Sequence, residues 1–390
     1  MAYLPVEVVI DILARLPVKY LLCLRCVCKP WRSLIDSLDF IHFHILKSIE
    51  TKTHFGLILR KGFQLFSVDL DAPNGAVELP HPLMSYSNDI KILGSCNGLL
   101  CICNVAEDIA LWNPSTKMHR LLPFLSSERI RDPGMAIRGP RVYGLGYDAI
   151  SDDYKLVRVS QFIGLDYQSF ESEVKIYSLR TNEWKGIEDL PYALCYTRRM
   201  GVHVNGFLHW VVIRKVKVDE SELVVALDIV AESYKEVPLP ESLNNNQSHL
   251  DLGVLGGCLC VVANYREIDV EVWVMREYGV QESWMRLVKL GQSEELVSLK
   301  LVRPLTYSKT GDDILFENDH KKLFLCDLKS QRIKDVRICG MPDTFEALVC
   351  LSSLVSVNAS RGRDSRNQES REDNTRMRDN FLSEGFKLVL

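Results

Sequence analysis

Three cysteines near the N-terminus are the residues whose spacing comes nearest to that of a metal site. Cys23, Cys26 and Cys28 could supply half of a zinc centre, because zinc commonly takes two thiolates from one short stretch of chain. No second pair of cysteine or histidine residues follows at the usual distance. The three also lie in a leucine-rich stretch, where small apolar residues pack into a core. The sequence therefore predicts no metal site here.

Motifs that would indicate catalysis are missing from the sequence. There is no Gly-x-Ser-x-Gly elbow and no His-Glu-x-x-His pair, and the nine histidines are scattered. Gly144-x-Gly146 leads into a turn, not a helix, so no phosphate loop is predicted. Asp152-Asp153 and Asp312-Asp313 could bind calcium, but acidic pairs in hairpin turns are more often solvated. We predict no catalytic residues, no cofactor and no metal, although spacing cannot reveal a dyad or triad assembled by the fold.

The overall composition is that of an ordinary soluble globular protein. The chain has 390 residues, of which 47% are hydrophobic and 25% are charged, and its formal net charge is -4. This balance gives no reason to expect nucleic acid or an anionic membrane as the main partner. No apolar run could span a bilayer, and Glu7, Asp11 and Arg15 interrupt the stretch that a secretory signal would need. The twelve cysteines are expected to be reduced, which favours a location in the cytoplasm and nucleus.

Helices are predicted for the N-terminal part of the chain. Pro5 can open a helix, apolar residues recur at helical spacing as far as Leu16, and Pro17 then ends the helix. Further helical stretches are predicted at Val18–Leu24, at Trp31–Ile35 and, as a connector, at His42–Lys52. So small a unit cannot bury all of its apolar surface alone. It could pack on the rest of the chain or dock on a partner, and the pattern itself leaves both alternatives open.

From Phe55 onward, short apolar runs alternate with tight-turn residues, which predicts a β-rich region. One repeated unit is a two-residue turn followed by a strand that carries a leucine. It occurs at Asn97-Gly98, Asn205-Gly206 and Gly256-Gly257. A second unit, a strand with a polar turn and an apolar return, recurs roughly every fifty residues, which is the period of kelch-like propeller blades. A propeller is favoured, and an irregular β-sandwich is the alternative.

Four long connections are predicted to carry function, because propellers present loops from one face of a fixed ring. They are residues 126–140, 161–172, 215–221 and 240–251. Aromatic and arginine side chains dominate binding hot spots. The predicted substrate-binding anchors are therefore Arg131, Arg138, Tyr167 and Phe170. The alternative is that these connections are tolerated insertions.

The predicted architecture is an α+β chain of several segments. They are a three-helix module over residues 1–45, a mostly antiparallel propeller-type domain over 46–358, a disordered polar linker over 359–380 and an apolar strand over 381–390. Phe386, Leu388 and Leu390 alternate, as on one face of a strand. We expect this terminal strand to dock on the β-domain.

The first forty or so residues resemble a complete F-box in the form common in plants. The residues that carry the match are Leu4-Pro5, Ile12 to Pro17, Val27 to Ile35 and Asp39 to Ile41. The resemblance implies docking on a Skp-type adaptor and, through it, on the cullin and RING subunits of a ubiquitin ligase. It assigns adaptor contact to Leu4, Pro5, Val8, Ile12, Leu16, Pro17, Leu21, Val27 and Trp31.

The β-rich region resembles the F-box-associated domain of plant F-box proteins. The likeness is carried by Trp112 to Thr116, Val142 to Asp148 and Ser151 to Arg158. It implies a non-catalytic substrate-recognition subunit that recruits targets for ubiquitination and proteasomal degradation.

Further runs resemble a subgroup of that family that restrains plant defence. They are Phe66 to Asp71, Asp251 to Cys260, Glu277-Tyr278 with Ser283-Trp284, and Phe381 to Leu390. This implies nucleotide-binding leucine-rich-repeat immune receptors as targets. The alternatives are an S-locus-type receptor for S-ribonucleases, or a stand-alone propeller that binds a glycan or small ligand or is a hydrolase.

Overall fold

A computed structural model describes residues 5–71, 75–84, 88–125, 136–164, 169–195, 200–214, 221–243, 248–293, 296 and 298–358. Four helices come first: α1 (Val6–Ala14), α2 (Val18–Leu24), α3 (Lys29–Ile35) and α4 (Leu38–Thr51). The predicted connector begins four residues early as α4, because Ser37 caps it by accepting a hydrogen bond from the Phe40 N–H. No helix in the described part of the chain is long and apolar enough to cross a membrane.

The rest of the described chain forms six antiparallel sheets. The first contains β1 (Phe55–Lys61), β2 (Gln64–Asp69), β3 (Val77–Leu79) and, from the other end of the chain, β26 (Glu346–Leu351). The second contains β4 (Lys91–Cys96), β5 (Leu99–Cys103), β6 (Ile109–Trp112) and β7 (His119–Leu121). The third contains β8 (Ala136–Arg138), β9 (Val142–Asp148), β10 (Asp153–Gly164), β11 (Phe170–Ser178) and β12 (Glu183–Gly186).

The remaining three sheets continue in chain order. The fourth contains β13 (Ala193–Leu194), β14 (Val202–Val204), β15 (Phe207–Ile213), β16 (Leu223–Asp228) and β17 (Tyr234–Val237). The fifth contains β18 (His249–Leu255), β19 (Cys258–Tyr265), β20 (Asp269–Met275) and β21 (Trp284–Gly291). The sixth contains β22 (Val302–Tyr307), β23 (Asp313–Asn318), β24 (Lys322–Asp327) and β25 (Ile333–Val336).

Strand β26 closes these sheets into a ring. It pairs with β1 in antiparallel register, from Phe55 opposite Leu351 to Arg60 opposite Glu346. The first sheet is therefore built from both ends of the domain, and each sheet is one blade of a six-bladed propeller. This confirms the prediction of a propeller over that of a β-sandwich, and the number of blades is six.

Three tight turns join the inner strand of a blade to its second strand. Both central residues have positive φ in each: 48° and 85° at Asn97-Gly98, 53° and 83° at Asn205-Gly206, and 61° and 81° at Gly256-Gly257. Asparagine and glycine tolerate this left-handed backbone, which matches the twist of a two-residue hairpin. These are the turns of the first repeated unit, so that unit marks the inner hairpin of a blade.

The ring has two faces, because turns between antiparallel strands alternate from one end to the other. The helix face carries these three inner hairpin turns and the entry from α4 into β1. A Cβ added at Gly98 would lie 2.5 Å from the Leu351 carbonyl oxygen, so the first of these turns sits beside the end of β26. The opposite end is the open face. By strand order, the described ends of all four predicted long connections lie at the open face.

The helices share one hydrophobic core with the ring. Leu13, Leu21 and Ile35 from the helices pack in the same buried cluster as Leu99 and Val355. His42 Nε2 lies 3.1 Å from the Tyr147 hydroxyl, which donates a 2.9 Å hydrogen bond to Asp152. Apolar burial and polar contacts together therefore hold the helices on the helix face.

Candidate functional site

Apolar side chains remain exposed on α1 and α2 and just beyond α2. We call Val8, Ile12, Tyr20 and Val27 the exposed helical set, within which Ile12 is 48% and Val27 is 63% exposed. Soluble proteins seldom leave several large apolar side chains uncovered on one small module unless a partner covers them. The exposed helical set is therefore the candidate docking surface.

Helix α1 has apolar residues on two of its faces. Leu13 and Ala14 are buried in the core shared with the ring. Val8 and Ile12 are one turn apart on a face that is turned toward solvent. One apolar stripe of α1 therefore packs on the ring, as the first alternative from the sequence predicts, and the other stays exposed.

The predicted adaptor-binding residues fall into three groups. Val8, Ile12, Val27 and the helix-opening Pro5 are exposed. Leu16, Pro17 and Trp31 are half-buried. Leu21 is 0% exposed, so it supports the surface from beneath and does not line it. Leu4 lies outside the described residues.

Asn113 connects the helix face to the segment that follows β26. Its Nδ2 group donates hydrogen bonds to the carbonyl oxygens of Ser353 and Val355, at 3.0 and 2.8 Å. Its Oδ1 atom accepts one from the Ser115 N–H at 2.9 Å, which forms the turn after β6. The Trp112 to Thr116 run therefore anchors the chain that follows the ring-closing strand.

Phe170, one of the predicted substrate anchors, begins β11 at the open face. It is half-buried and pairs with Ile163 of β10. It lines a groove that four carboxylates also line, those of Glu171, Glu173, Glu188 and Asp189. Arg138 belongs to β8 and pairs with Phe162 of β10. The structure describes only the backbone of Arg138. Arg131 and Tyr167 also lie outside the described residues.

Charged residues connect three blades near the open face. Arg303 Nε donates a 3.1 Å hydrogen bond to Asp251, and Arg303 NH1 lies 3.8 Å from a Glu346 oxygen. Arg60 Nε donates to Glu346 at 2.9 Å. Arg303 and Asp251 are almost fully buried, and the neighbouring carboxylates raise the pKa of Arg303 against the effect of burial. These contacts join the ring-closing strand to the two blades before it.

A cysteine and a histidine meet inside the ring, as spacing alone could not show. Cys96 Sγ lies 3.7 Å from His203 Nδ1. Burial raises the pKa of Cys96 to about 12 and lowers the pKa of His203 to about 4, so both groups stay neutral. An activated nucleophile would need the thiolate. Among the described residues no three histidine, cysteine, aspartate or glutamate side chains are grouped to hold a metal ion.

A central cavity of about 700 Å³ lies along the axis of the ring. Five inner strands line it: β4, β14, β18, β22 and β26. Its lining includes Ile49 and Lys52 from the C-terminal end of α4, so the mouth lies on the helix face. Arg303 and Asp251 lie at its other end.

Comparison with known proteins gives the family. A model described as "F-box associated beta propeller domain" matches residues 57–351, and one described as "F-box domain" matches residues 2–43. The chain belongs to the F-box-associated propeller family. The two matches coincide with the ring and with the helices that carry the exposed helical set.

Similar members of this family occur in Arabidopsis thaliana. F-box protein CPR1 is 38% identical over 418 aligned residues, which cover 100% of both chains. F-box protein At4g22390 is 33% identical and also covers 100% of both chains. F-box/kelch-repeat protein At3g23880 is 30% identical over 74% of this chain and 79% of its own. Both the N-terminal resemblance and the domain resemblance predicted from the sequence are confirmed.

Some residues of this F-box protein could not be assigned from the sequence. The Asn113-Pro114 pair predicts a turn, but it does not indicate that Asn113 donates hydrogen bonds to the segment after β26. The contact of Arg303 with Asp251 joins residues 52 positions apart on separate blades. No local signal could have paired these two residues.

Proposed function

We propose that this F-box protein is the substrate-recognition subunit of a Skp–cullin–RING ubiquitin ligase, with no catalytic residues of its own. The observation that carries the proposal is the exposed helical set on one end of a ring whose long connections open at the other end. The helices would hold the ligase through a Skp-type adaptor, and the open face would hold the target. Holding the two together raises the effective concentration of target lysines near the conjugating enzyme.

The proposed target class is the nucleotide-binding leucine-rich-repeat immune receptors, which makes the protein a negative regulator of plant defence. The runs from Phe66 to Asp71 and from Asp251 to Cys260, together with full-length similarity to CPR1, support this choice. Action on such receptors fits the expected location in the cytoplasm and nucleus. Proteins that share this architecture can bind different targets. The target class is therefore tested separately from adaptor binding.

Adaptor binding is tested by Ile12→Asp. The side chain is exposed, so the change should leave the fold intact while placing a charge in an apolar interface. We expect adaptor affinity to fall at least about a hundredfold, since a charge buried without a partner costs several kcal/mol. The measurement is calorimetry with purified adaptor.

Ile268→Asp is the matched control for this test. Ile268 is an exposed isoleucine in the turn between β19 and β20, at the open face. It should leave adaptor affinity unchanged. Equal affinity of the wild type and Ile12→Asp would contradict adaptor docking through the helices.

The target is tested with the same Ile12→Asp variant, because a receptor detached from the ligase should retain undegraded targets. Affinity capture from plant cells followed by mass spectrometry should recover immune receptors with this variant and, under proteasome inhibition, with the wild-type chain. Recovery of S-ribonucleases instead would contradict the proposed target class while leaving the adaptor assignment intact.

A further inference from the structure

The central cavity has the dimensions of a small-molecule site. Its volume of about 700 Å³ falls within the range of ligand pockets in proteins, roughly 300–1,000 Å³. Arg303 near the start of β22 and Ser308 just beyond its end both line the cavity. They are five positions apart in extended chain, which gives a depth of about 16 Å. The cavity can therefore take an elongated molecule along the ring axis.

Most of the wall is apolar. The side chains that line it include Phe55, Val204, Val254, Leu305, Tyr307 and Val349. Val254 is 37% exposed although it belongs to an inner strand, because it faces this open space and no packed neighbour. Cys96 and His203 also line the cavity, and both are neutral because burial disfavours their charged forms. Such a wall favours a ligand with an apolar body.

The charged groups around the cavity favour an anion. Four cationic side chains line it, Lys52, Arg303, Lys309 and Arg337, against the two carboxylates Asp71 and Asp251. Asp71 is bound to Lys309 at 2.9 Å, and Asp251 to Arg303 at 3.1 Å. This leaves Lys52 and Arg337 as the excess positive charge, and both are exposed to solvent.

We propose that the central cavity binds a small amphipathic organic anion. Its apolar body lies between the inner strands, and its acidic group lies at the mouth beside Lys52. The Arg303–Asp251 pair at the far end offers hydrogen bonds to a polar group on the body. The site is separate from the exposed helical set, because its lining contains none of those residues, so it is independent of adaptor docking.

Two fluorescent probes separate the charge from the apolar body. 8-Anilinonaphthalene-1-sulfonate carries one acidic group, and N-phenyl-1-naphthylamine is the same skeleton without it. Each is titrated into the full-length folded chain. We expect both to bind in the cavity with enhanced fluorescence, and the sulfonate to bind about tenfold more tightly because of the cationic mouth.

Two pairs of variants locate the binding. Val254→Trp fills the cavity and should abolish binding of both probes, whereas Val280→Trp, at a valine of 39% exposure outside the cavity lining, should not. Lys52→Glu should weaken the sulfonate about tenfold and leave the neutral probe unchanged. Lys117→Glu is its control, because Lys117 is also an exposed lysine with positive φ but lies away from the cavity.

Three results would overturn the proposal. Unchanged binding in Val254→Trp would place the probes elsewhere. Equal affinity for the two probes, with no effect of Lys52→Glu, would show that the cavity does not prefer an anion. Probe binding that begins only after residues 359–390 are deleted would assign the cavity to that terminal segment. Each is measured without adaptor, so a failure here does not bear on the proposed ligase function.

Discussion

At the scale of single residues, Asn113 shows how one side chain can hold distant parts of the chain together. It is 0% exposed, it accepts hydrogen bonds from its own turn, and it donates two to the segment after β26. The side-chain amide suits this role, because its oxygen accepts while its NH2 group donates two hydrogen bonds.

Replacing Asn113 by Asp tests this role with almost no change in shape. A carboxylate oxygen would then face the carbonyl oxygens of Ser353 and Val355 in a buried site. We expect the free energy of unfolding to fall by about 3 kcal/mol. Chemical denaturation measures it. Asn182→Asp is the control, because Asn182 only accepts a hydrogen bond there, from Tyr177, and should change little.

Phe170 is the predicted substrate anchor whose surroundings are described. It is half-buried at the edge of a groove with four carboxylates. If the open face binds the target, Phe170→Ala should weaken target binding by about 1–3 kcal/mol and leave adaptor affinity unchanged. Pull-down of the captured target measures the effect. Phe63→Ala, at an exposed phenylalanine between β1 and β2, is the control, and equal losses in both would argue against this groove.

At the scale of elements, the inner hairpin turns place the strands around the ring. Gly98 and Gly206 have almost the same backbone, with φ of 85° and 83°. Their surroundings differ, because a Cβ at Gly98 would lie 2.3 Å from Ser353 Oγ, whereas a Cβ at Gly206 would meet nothing within 4 Å. Comparing alanine substitutions at these two glycines therefore separates the cost of backbone strain from the cost of a clash with the segment after β26.

Gly206→Ala should lower the free energy of unfolding by about 1–2 kcal/mol, which is the usual cost of a left-handed backbone for an L-residue. Gly98→Ala should cost clearly more, since the added methyl must also displace Ser353. Thermal and urea unfolding of the two variants give the difference. Equal losses would mean that the contact with Ser353 is not maintained in solution.

At the scale of the whole molecule, buried histidines make stability depend on pH. Burial lowers the pKa of His203 and of His209 to about 4, against roughly 6.5 in an unfolded chain. The unfolded state then binds more protons between pH 4 and 6.5, so stability falls as pH falls through that range. His320 acts in the opposite direction, because its hydrogen bond to Glu317 raises its pKa. Its contribution to the free energy of unfolding is present below pH 6.5 and is lost as pH rises through the raised pKa.

The melting temperature should therefore decrease steeply from pH 6.5 to pH 4, where each buried histidine contributes up to about 3 kcal/mol. His209→Gln should make this slope shallower than that of the wild type, because it removes a group whose pKa is lowered by burial. Calorimetric melting at several pH values measures both slopes. An unchanged slope in His209→Gln would show that His209 does not remain neutral in the folded ring.

The sequence by itself determined whatever depends on neighbouring residues. Proline positions and apolar spacing predicted the short helices, and Asn-Gly and Gly-Gly predicted the inner hairpin turns, because turn geometry and helical periodicity are properties of a few consecutive residues. Motif order in the first forty residues indicated the F-box, and the repeat period favoured a propeller.

Only the tertiary structure decided which surfaces stay free. In the fold Leu21 is buried and Ile12 is exposed. The pairing of β1 with β26 closes a ring of six blades, and Arg303 donates a hydrogen bond to Asp251 at the end of the central cavity. These facts depend on contacts between residues tens to hundreds of positions apart. Such contacts form only when the ring closes, and no local pattern records which residues then meet.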